Sequence, residues 1–161
     1  MEEAASAPPV IELPRGMYNA RLDDRGRIKL PTDFQTALES LGGEKLFVTS
    51  LDRRIGQIYP MAKWREFERF LESGSDDPTI ARSMLFNATD LGGEVLMDSQ
   101  GRVVFPPDLR RTLGIEGQAV RIYAYQGRIE VLSEDIYAAR RQEASQVTSD
   151  DVIRLEAKRP K

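Results

Sequence analysis

The chain has 161 residues, and 23 basic residues against 26 acidic ones give it a net charge of −3. It contains neither histidine nor cysteine, which excludes disulfides, thiolate or Ser-His-Asp catalysis and the usual zinc sites. It also has no P-loop and no GxGxxG phosphate loop. We therefore predict a non-enzyme without a metal, a cofactor or a small-molecule substrate, built as one domain or as two small halves.

The first residues read MEEAASAPPV, which is acidic where a secretory signal would be basic. No apolar run approaches the length that spans a bilayer. The expectation is a cytoplasmic protein with no membrane partner. Because residues 1–14 combine acids and prolines with little apolar pattern, we predict a disordered N-terminal extension there.

The first repeat is predicted over residues 15–71. Strands at 18–22 and 27–30 flank the turn DDRG, and Thr32 with Gln35 gives the signal of a capping box that opens a helix ending at Gly42-Gly43. The segments LFVTS and GQIYP then predict a hairpin. Pro60 opens a helix with one apolar face, made of Met61, Trp64, Phe67 and Leu71.

A linker at 72–93 contains a helix that starts at Pro78, and the second repeat is predicted over residues 94–141. Strands at 95–97 and 102–105 flank the turn DSQG, and a helix runs from near Pro107 to Gly114. The segment VRIYAYQGRIEVL predicts another hairpin. The remaining residues, 142–161, are predicted to be a flexible C-terminal tail.

The two halves are an internal duplication. At an offset of 75 the motif residues coincide, and after a two-residue loss LFVTS matches AVRIY and Trp64 matches Tyr137. Each copy is too short to hold a core alone, so the halves must share one core. The predicted fold class is α+β, mainly β. Trp64 and Tyr137 are assigned to the core or an interface, since they recur at helical spacing with other apolar residues.

The repeated motif is LDDRGRIKLP at 22–31 and MDSQGRVVFP at 97–106. Asp-x-x-Gly is typical of a turn, because aspartate can bond to its own backbone two residues on and glycine tolerates positive φ. Asp23, Gly26, Asp98 and Gly101 are therefore the turn and orienting residues. One interpretation is purely structural: the arginine that follows each turn simply pairs with the aspartate.

Strand alternation favours a second interpretation. It directs Ile28 inward and Arg27 with Lys29 outward, and it leaves Arg102 at the matching outward position. Five basic residues against two acids also concentrate between positions 15 and 29: Arg15, Arg21, Arg25, Arg27 and Lys29. A basic two-stranded ribbon fits the DNA major groove, and arginine suits both phosphates and guanine edges. We predict DNA contacts for Arg15, Arg25, Arg27, Lys29 and Arg102.

The two D-x-x-x-R copies, each followed by an apolar triplet, a proline and a short helix, resemble the MraZ family of bacterial transcriptional regulators, within the AbrB/SpoVT swapped-hairpin superfamily. The resemblance covers roughly residues 15–141. It implies tandem double-split β-α-β repeats, each SpoVT-AbrB-like, and a ring-shaped homo-oligomer. It also implies a nucleoid-associated repressor of the division and cell wall gene cluster that binds direct repeats in promoter double-stranded DNA. The motif arginines of the family, which contact DNA, correspond to Arg27 and Arg102.

One departure and two alternatives accompany this resemblance. Gln35 stands where the first family helix carries arginine, whereas Arg110 of the second half matches. The chain could instead be an AbrB-like or antitoxin-type regulator, although such proteins have a single hairpin per chain. From a different class, it could be a ring-forming interaction protein whose arginines hold acidic protein partners.

Overall fold

The structure is a computed structural model that describes residues 12–41 and 43–160. The first half contains β1 (Tyr18–Arg21), β2 (Arg27–Lys29), α1 (Thr32–Glu39), β3 (Leu46–Thr49), β4 (Gly56–Pro60) and α2 (Met61–Arg69). A π-helical turn (Phe70–Gly74) and α3 (Pro78–Leu91) connect it to the second half. There follow β5 (Gly93–Val95), β6 (Arg102–Val104), α4 (Pro107–Leu113), β7 (Ala119–Tyr125), β8 (Arg128–Ser133), α5 (Glu134–Ala144) and α6 (Ser149–Ala157).

Strands of the two repeats are interleaved in one antiparallel sheet. Its order is β1-β7-β8-β4-β3-β5, while β2 and β6 form a separate two-stranded ribbon. The pairs β1–β7 and β4–β8 each join one strand from either repeat, with Tyr18 opposite Ile122 and Ile58 opposite Ile129. Neither repeat therefore completes a sheet without the other. The predicted α+β fold with a shared core is confirmed.

The main core lies between the sheet, the ribbon and the short helices α1 and α4. Phe34 of α1 and Leu109 of α4 are fully buried, together with Phe105 at the end of the ribbon. Burial of each such side chain contributes about 1.5–3 kcal/mol. Because these side chains come from both halves, the ribbon is held firmly against the body of the molecule.

A second apolar cluster supports the helices α2 and α3. Trp64 is buried, and its ring lies 4.7 Å from that of Phe47 and 5.1 Å from that of Tyr59. Ala88 of α3 completes the cluster. The predicted apolar face of the helix after Pro60 is therefore correct, and Trp64 is a core residue.

The predicted capping box at Thr32 is wrong. Thr32 is the first helical residue, Pro31 occupies the N-cap position, and no side chain caps the helix. The Gln35 amide nitrogen instead donates to the carbonyl of Leu30 at 2.7 Å. The helix also ends earlier than predicted, with Ser40 as its C-cap, and Gly42 lies outside the described residues. Pro31 cannot cap through its side chain, and it holds the N-cap position that a capping box would require of Thr32.

The chain ends differ from a simple tail. Residues 1–11 lie outside the described residues, but Leu13 of the predicted extension is buried in the main core. Within 142–161 the structure has the end of α5 and the whole of α6. In α6 a capping box between Thr148 and Asp151 satisfies the first turn. The division of the chain into repeats and tails stays a prediction.

The strand predicted at 95–97 is displaced. The observed β5 covers Gly93–Val95 and pairs with β3, with Val95 opposite Leu46.

Among the described residues, no helix is long and apolar enough to cross a membrane.

Candidate nucleic-acid interface

The two motif copies meet in the β2–β6 ribbon. Their strands pair antiparallel, and the end of each strand lies beside the turn of the other copy. The Leu30 N–H donates to the Gly101 carbonyl at 2.9 Å, and the Phe105 N–H donates to the Gly26 carbonyl at 2.8 Å. The ribbon therefore has an approximate twofold axis that relates the first motif to the second. A single chain presents both motif arginines on one surface.

The ribbon has an apolar inner face and a basic outer face. Ile28 and Val103 are 0% exposed and lie opposite each other. On the outer face Lys29 lies directly opposite Arg102, and Arg27 lies opposite Val104. Like charges placed directly opposite each other destabilise a strand pair. An anion bound across the ribbon would relieve this repulsion.

The first turn is organised by Asp23. One carboxylate oxygen accepts hydrogen bonds from the backbone N–H groups of Arg25 and Arg27, both at 2.9 Å. The other oxygen accepts from Nε of Arg27 at 2.8 Å. These bonds, foremost the one from the Arg27 backbone, hold the pKa of Asp23 below its usual value. The carboxylate is therefore ionised, and it fixes both the turn and the arginine.

The second turn repeats this arrangement atom for atom. Asp98 accepts from the backbone N–H groups of Gln100 and Arg102 at 2.9 Å, and from Nε of Arg102 at 2.7 Å. The backbone hydrogen bond from Arg102 is the largest cause that lowers the pKa of Asp98 to about 2. Such duplication makes the Asp–Arg unit a built feature of the ribbon.

The pairing occupies only one edge of each arginine. The side chains of Arg27 and Arg102 are 24% and 27% exposed, and within the described chain their terminal Nη atoms make no hydrogen bond. The structural interpretation is thus correct that each arginine pairs with its aspartate. The same pair also orients the guanidinium, because it fixes Nε and leaves the terminal nitrogens available to a ligand.

Each motif glycine is covered by a side chain from the short helix of the other repeat. Gly26 has φ +74°, and a Cβ there would overlap the Arg110 guanidinium; Gly101 has φ +77°, and a Cβ there would overlap the Gln35 amide. Arg110 donates to the Phe105 carbonyl at 2.6 Å and also pairs with Glu116. Sequence reasoning did not give Gln35 and Arg110 this role, although the offset of 75 aligns them.

The remaining predicted cations fall into two groups. Arg25 and Lys29 are exposed on the first motif, and neither forms an ion pair within residues 12–41 and 43–160. Arg15 precedes β1, and its guanidinium pairs with Glu12 at 2.9 Å. The structure therefore gathers Arg25, Arg27, Lys29 and Arg102 around the ribbon, whereas Arg15 is engaged outside it. In the described part of the chain no group of acidic side chains could hold a metal ion.

Comparison with known proteins identifies the family. No family model matches the chain. Three curated relatives, each named Transcriptional regulator MraZ, come from Acidobacterium capsulatum, Koribacter versatilis and Thermomicrobium roseum. The first is 31% identical over 137 residues, which cover 85% of this chain and 92% of the relative. The second is 38% identical over 107 residues (65% and 71%), and the third is 29% identical over 128 residues (78% and 84%). With this identity over nearly the whole of a relative, the chain belongs to the MraZ family of transcriptional regulators.

Proposed function

We propose that this chain represses transcription of the division and cell wall gene cluster by binding short direct repeats in promoter DNA, as a cytoplasmic, nucleoid-associated protein. The observation that carries the proposal is the ribbon itself. Two guanidinium groups, each anchored by an aspartate, share its outer face with Lys29. The two motif copies contain three acids, and two of them are the aspartates that anchor the arginines; the third is Asp24.

The form and the charge of the ribbon support this proposal. A two-stranded β-ribbon enters the major groove, where an arginine fork bonds to the guanine edge. Arg27 and Arg102 are pre-oriented for such a contact, because fixing Nε removes much of the side-chain freedom that binding would otherwise cost. Arg25 and Lys29 are exposed cations that suit phosphates, which set affinity rather than sequence preference.

Self-assembly completes the proposal. In a ring-shaped homo-oligomer, each chain offers one ribbon, and several ribbons engage successive repeats of one promoter. Once one ribbon is bound, the next binds at a raised effective concentration. Light scattering on a sizing column tests this step: we expect a species larger than a dimer, and a monomer at micromolar concentration would contradict it.

The decisive experiment is an electrophoretic shift with the upstream DNA of the chain's own gene neighbourhood and a scrambled duplex of equal length. We expect a salt-sensitive shift that prefers the upstream DNA and is lost when Arg27 and Arg102 are both changed to alanine. Excess polyglutamate serves as a competitor. If it displaces the DNA as well as the scrambled duplex does and no sequence preference remains, the arginines hold acidic partners in general and the DNA-reader proposal is wrong. A promoter–reporter fusion then distinguishes repression from activation.

A further inference from the structure

Helix α6 carries an apolar stripe that nothing in the described chain covers. Val152, Ile153 and Leu155 are 47%, 64% and 62% exposed. Glu156 lies between them around the helix, four residues after Val152 and three after Ile153. At nine residues, α6 is shorter than the roughly 12–15 residues that an isolated helix needs to persist in water. We therefore expect the apolar stripe of α6 to pack against another surface.

The connection between α5 and α6 is held by local hydrogen bonds. Each backbone N–H of the connecting residues is already bonded: Ser145 to Arg141, Gln146 to Glu143, Val147 to Ala144 and Thr148 to the Asp151 carboxylate. If α6 turned back onto its own chain by changing the conformation of this connection, these hydrogen bonds would have to break. The structure leaves the apolar side chains of α6 exposed.

A groove of matching character lies beside α5. It encloses about 590 Å³ and has an apolar floor made of Met17, Tyr123, Leu132, Tyr137 and Ala144. Arg140 and Arg141 line the same groove, and neither forms an ion pair within the part of the chain that the structure describes. No residue of α6 lines it. Glu143 also lines the groove, so its charged lining consists of two cations and one acid and is net positive.

We propose that α6 of one copy of this chain docks into the α5 groove of a second copy. Val152, Ile153 and Leu155 contact the apolar floor, and Glu156, which lies among them, pairs with Arg140 or Arg141 inside the groove. The helix and the groove are different surfaces, so the contact is head-to-tail, and a head-to-tail contact whose rotation closes produces a ring. The proposal rests on the self-assembly step of the proposed function and names the surfaces that perform it.

Disulfide trapping tests the pairing directly, because the parent chain has no cysteine. Met17→Cys and Leu155→Cys are placed on separate chains of different tag length, which are co-expressed and oxidised. We expect a mixed cross-linked dimer, and no cross-link when Met17→Cys is replaced by Phe86→Cys, an apolar position on α3 that is more exposed than Met17 (65% against 46%). A doubly substituted chain that closes only within itself would show fold-back and overturn the proposal. A cross-link to Phe86→Cys but not to Met17→Cys would overturn it too.

Charge reversal gives an independent readout. Arg140→Glu with Arg141→Glu, or Glu156→Arg alone, should raise the midpoint concentration of assembly in light scattering by at least about tenfold. The variant that combines all three substitutions should recover most of that loss, because the acid then lies on the groove and the cation on α6. Arg82→Glu on α3 is the control and should change little. Failure of the triple variant to recover, or an equal loss in the control, would refute the pairing. None of these positions lies on the ribbon. DNA binding by single chains is therefore measured in parallel, and its result tests the proposed function independently of the assembly contact.

Discussion

The two motif copies differ in charge, and this difference predicts different roles in DNA binding. The first copy has exposed Arg25 and Lys29 beside its anchored arginine, whereas the second has Gln100 and Val104 at those positions. A phosphate contact contributes about 0.9 to the slope of log affinity against log salt. We therefore expect Arg25→Ala and Lys29→Ala each to lower the slope by up to about one unit, on any sequence. Between 50 and 200 mM salt, that is about a fourfold smaller loss of affinity per variant.

Arg102→Ala should behave differently, because the Arg102 guanidinium is held by Asp98 and its own motif copy supplies no further cation. We expect a loss of roughly 1–3 kcal/mol on the preferred site, about 5- to 150-fold, with little loss on scrambled DNA. The assay is a salt titration of binding by fluorescence anisotropy for each variant on both duplexes. Arg82→Ala, an exposed cation of α3, is the control and should keep the parent slope. Equal slopes for all variants, or an Arg102 variant that weakens both duplexes alike, would refute the reasoning.

Three further predictions follow from the ribbon. Changing both Arg27 and Arg102 to alanine should abolish specific binding, while the melting temperature falls by only a few degrees, since partly exposed ion pairs contribute little to stability; differential scanning fluorimetry checks this, and unfolding at ambient temperature would contradict it. Gly26→Ala should destabilise the chain in urea more than Gly114→Ala, because both have positive φ but only the former meets a packed side chain. In acid, the parent should lose stability as the pH falls from about 4 through about 2, since the pKa of Asp98 is lowered to about 2 in the folded chain; an Asp98→Asn variant with the same acid transition in circular dichroism would rule this out.

Local signals predicted most of the elements. Alternation placed Ile28 and Val103 inside, and both are fully buried. The helices after Pro60, Pro78 and Pro107 begin where proline predicts them. The assignment to a family of transcriptional regulators confirms the prediction of a non-enzyme and of a role in transcription.

Long-range pairing was beyond these signals. Arg27 and Val104 lie opposite each other across the ribbon, yet no local pattern specifies a partner so far along the chain. The packing of Arg110 on Gly26 depends on that pairing and was missed for the same reason. Helix α6 was missed despite a usable signal, the capping box of Thr148 and Asp151, because the charged end of the chain was judged by composition alone.

The imperfect symmetry of the ribbon bears on the kind of site that it reads. A reader with exact twofold symmetry favours palindromes, because the symmetry of the site mirrors that of the protein. Here the twofold relates Lys29 to Val104, so the outer face has one end richer in cations than the other. Such a face binds DNA in a preferred direction, as the proposed direct repeats require. Val104→Lys should make the two ends alike, and it should therefore strengthen binding to scrambled DNA while reducing the preference for one orientation of a single repeat. Footprinting on a duplex with one repeat in either orientation measures this, and an unchanged orientation preference with stronger binding would show that direction is set elsewhere in the chain.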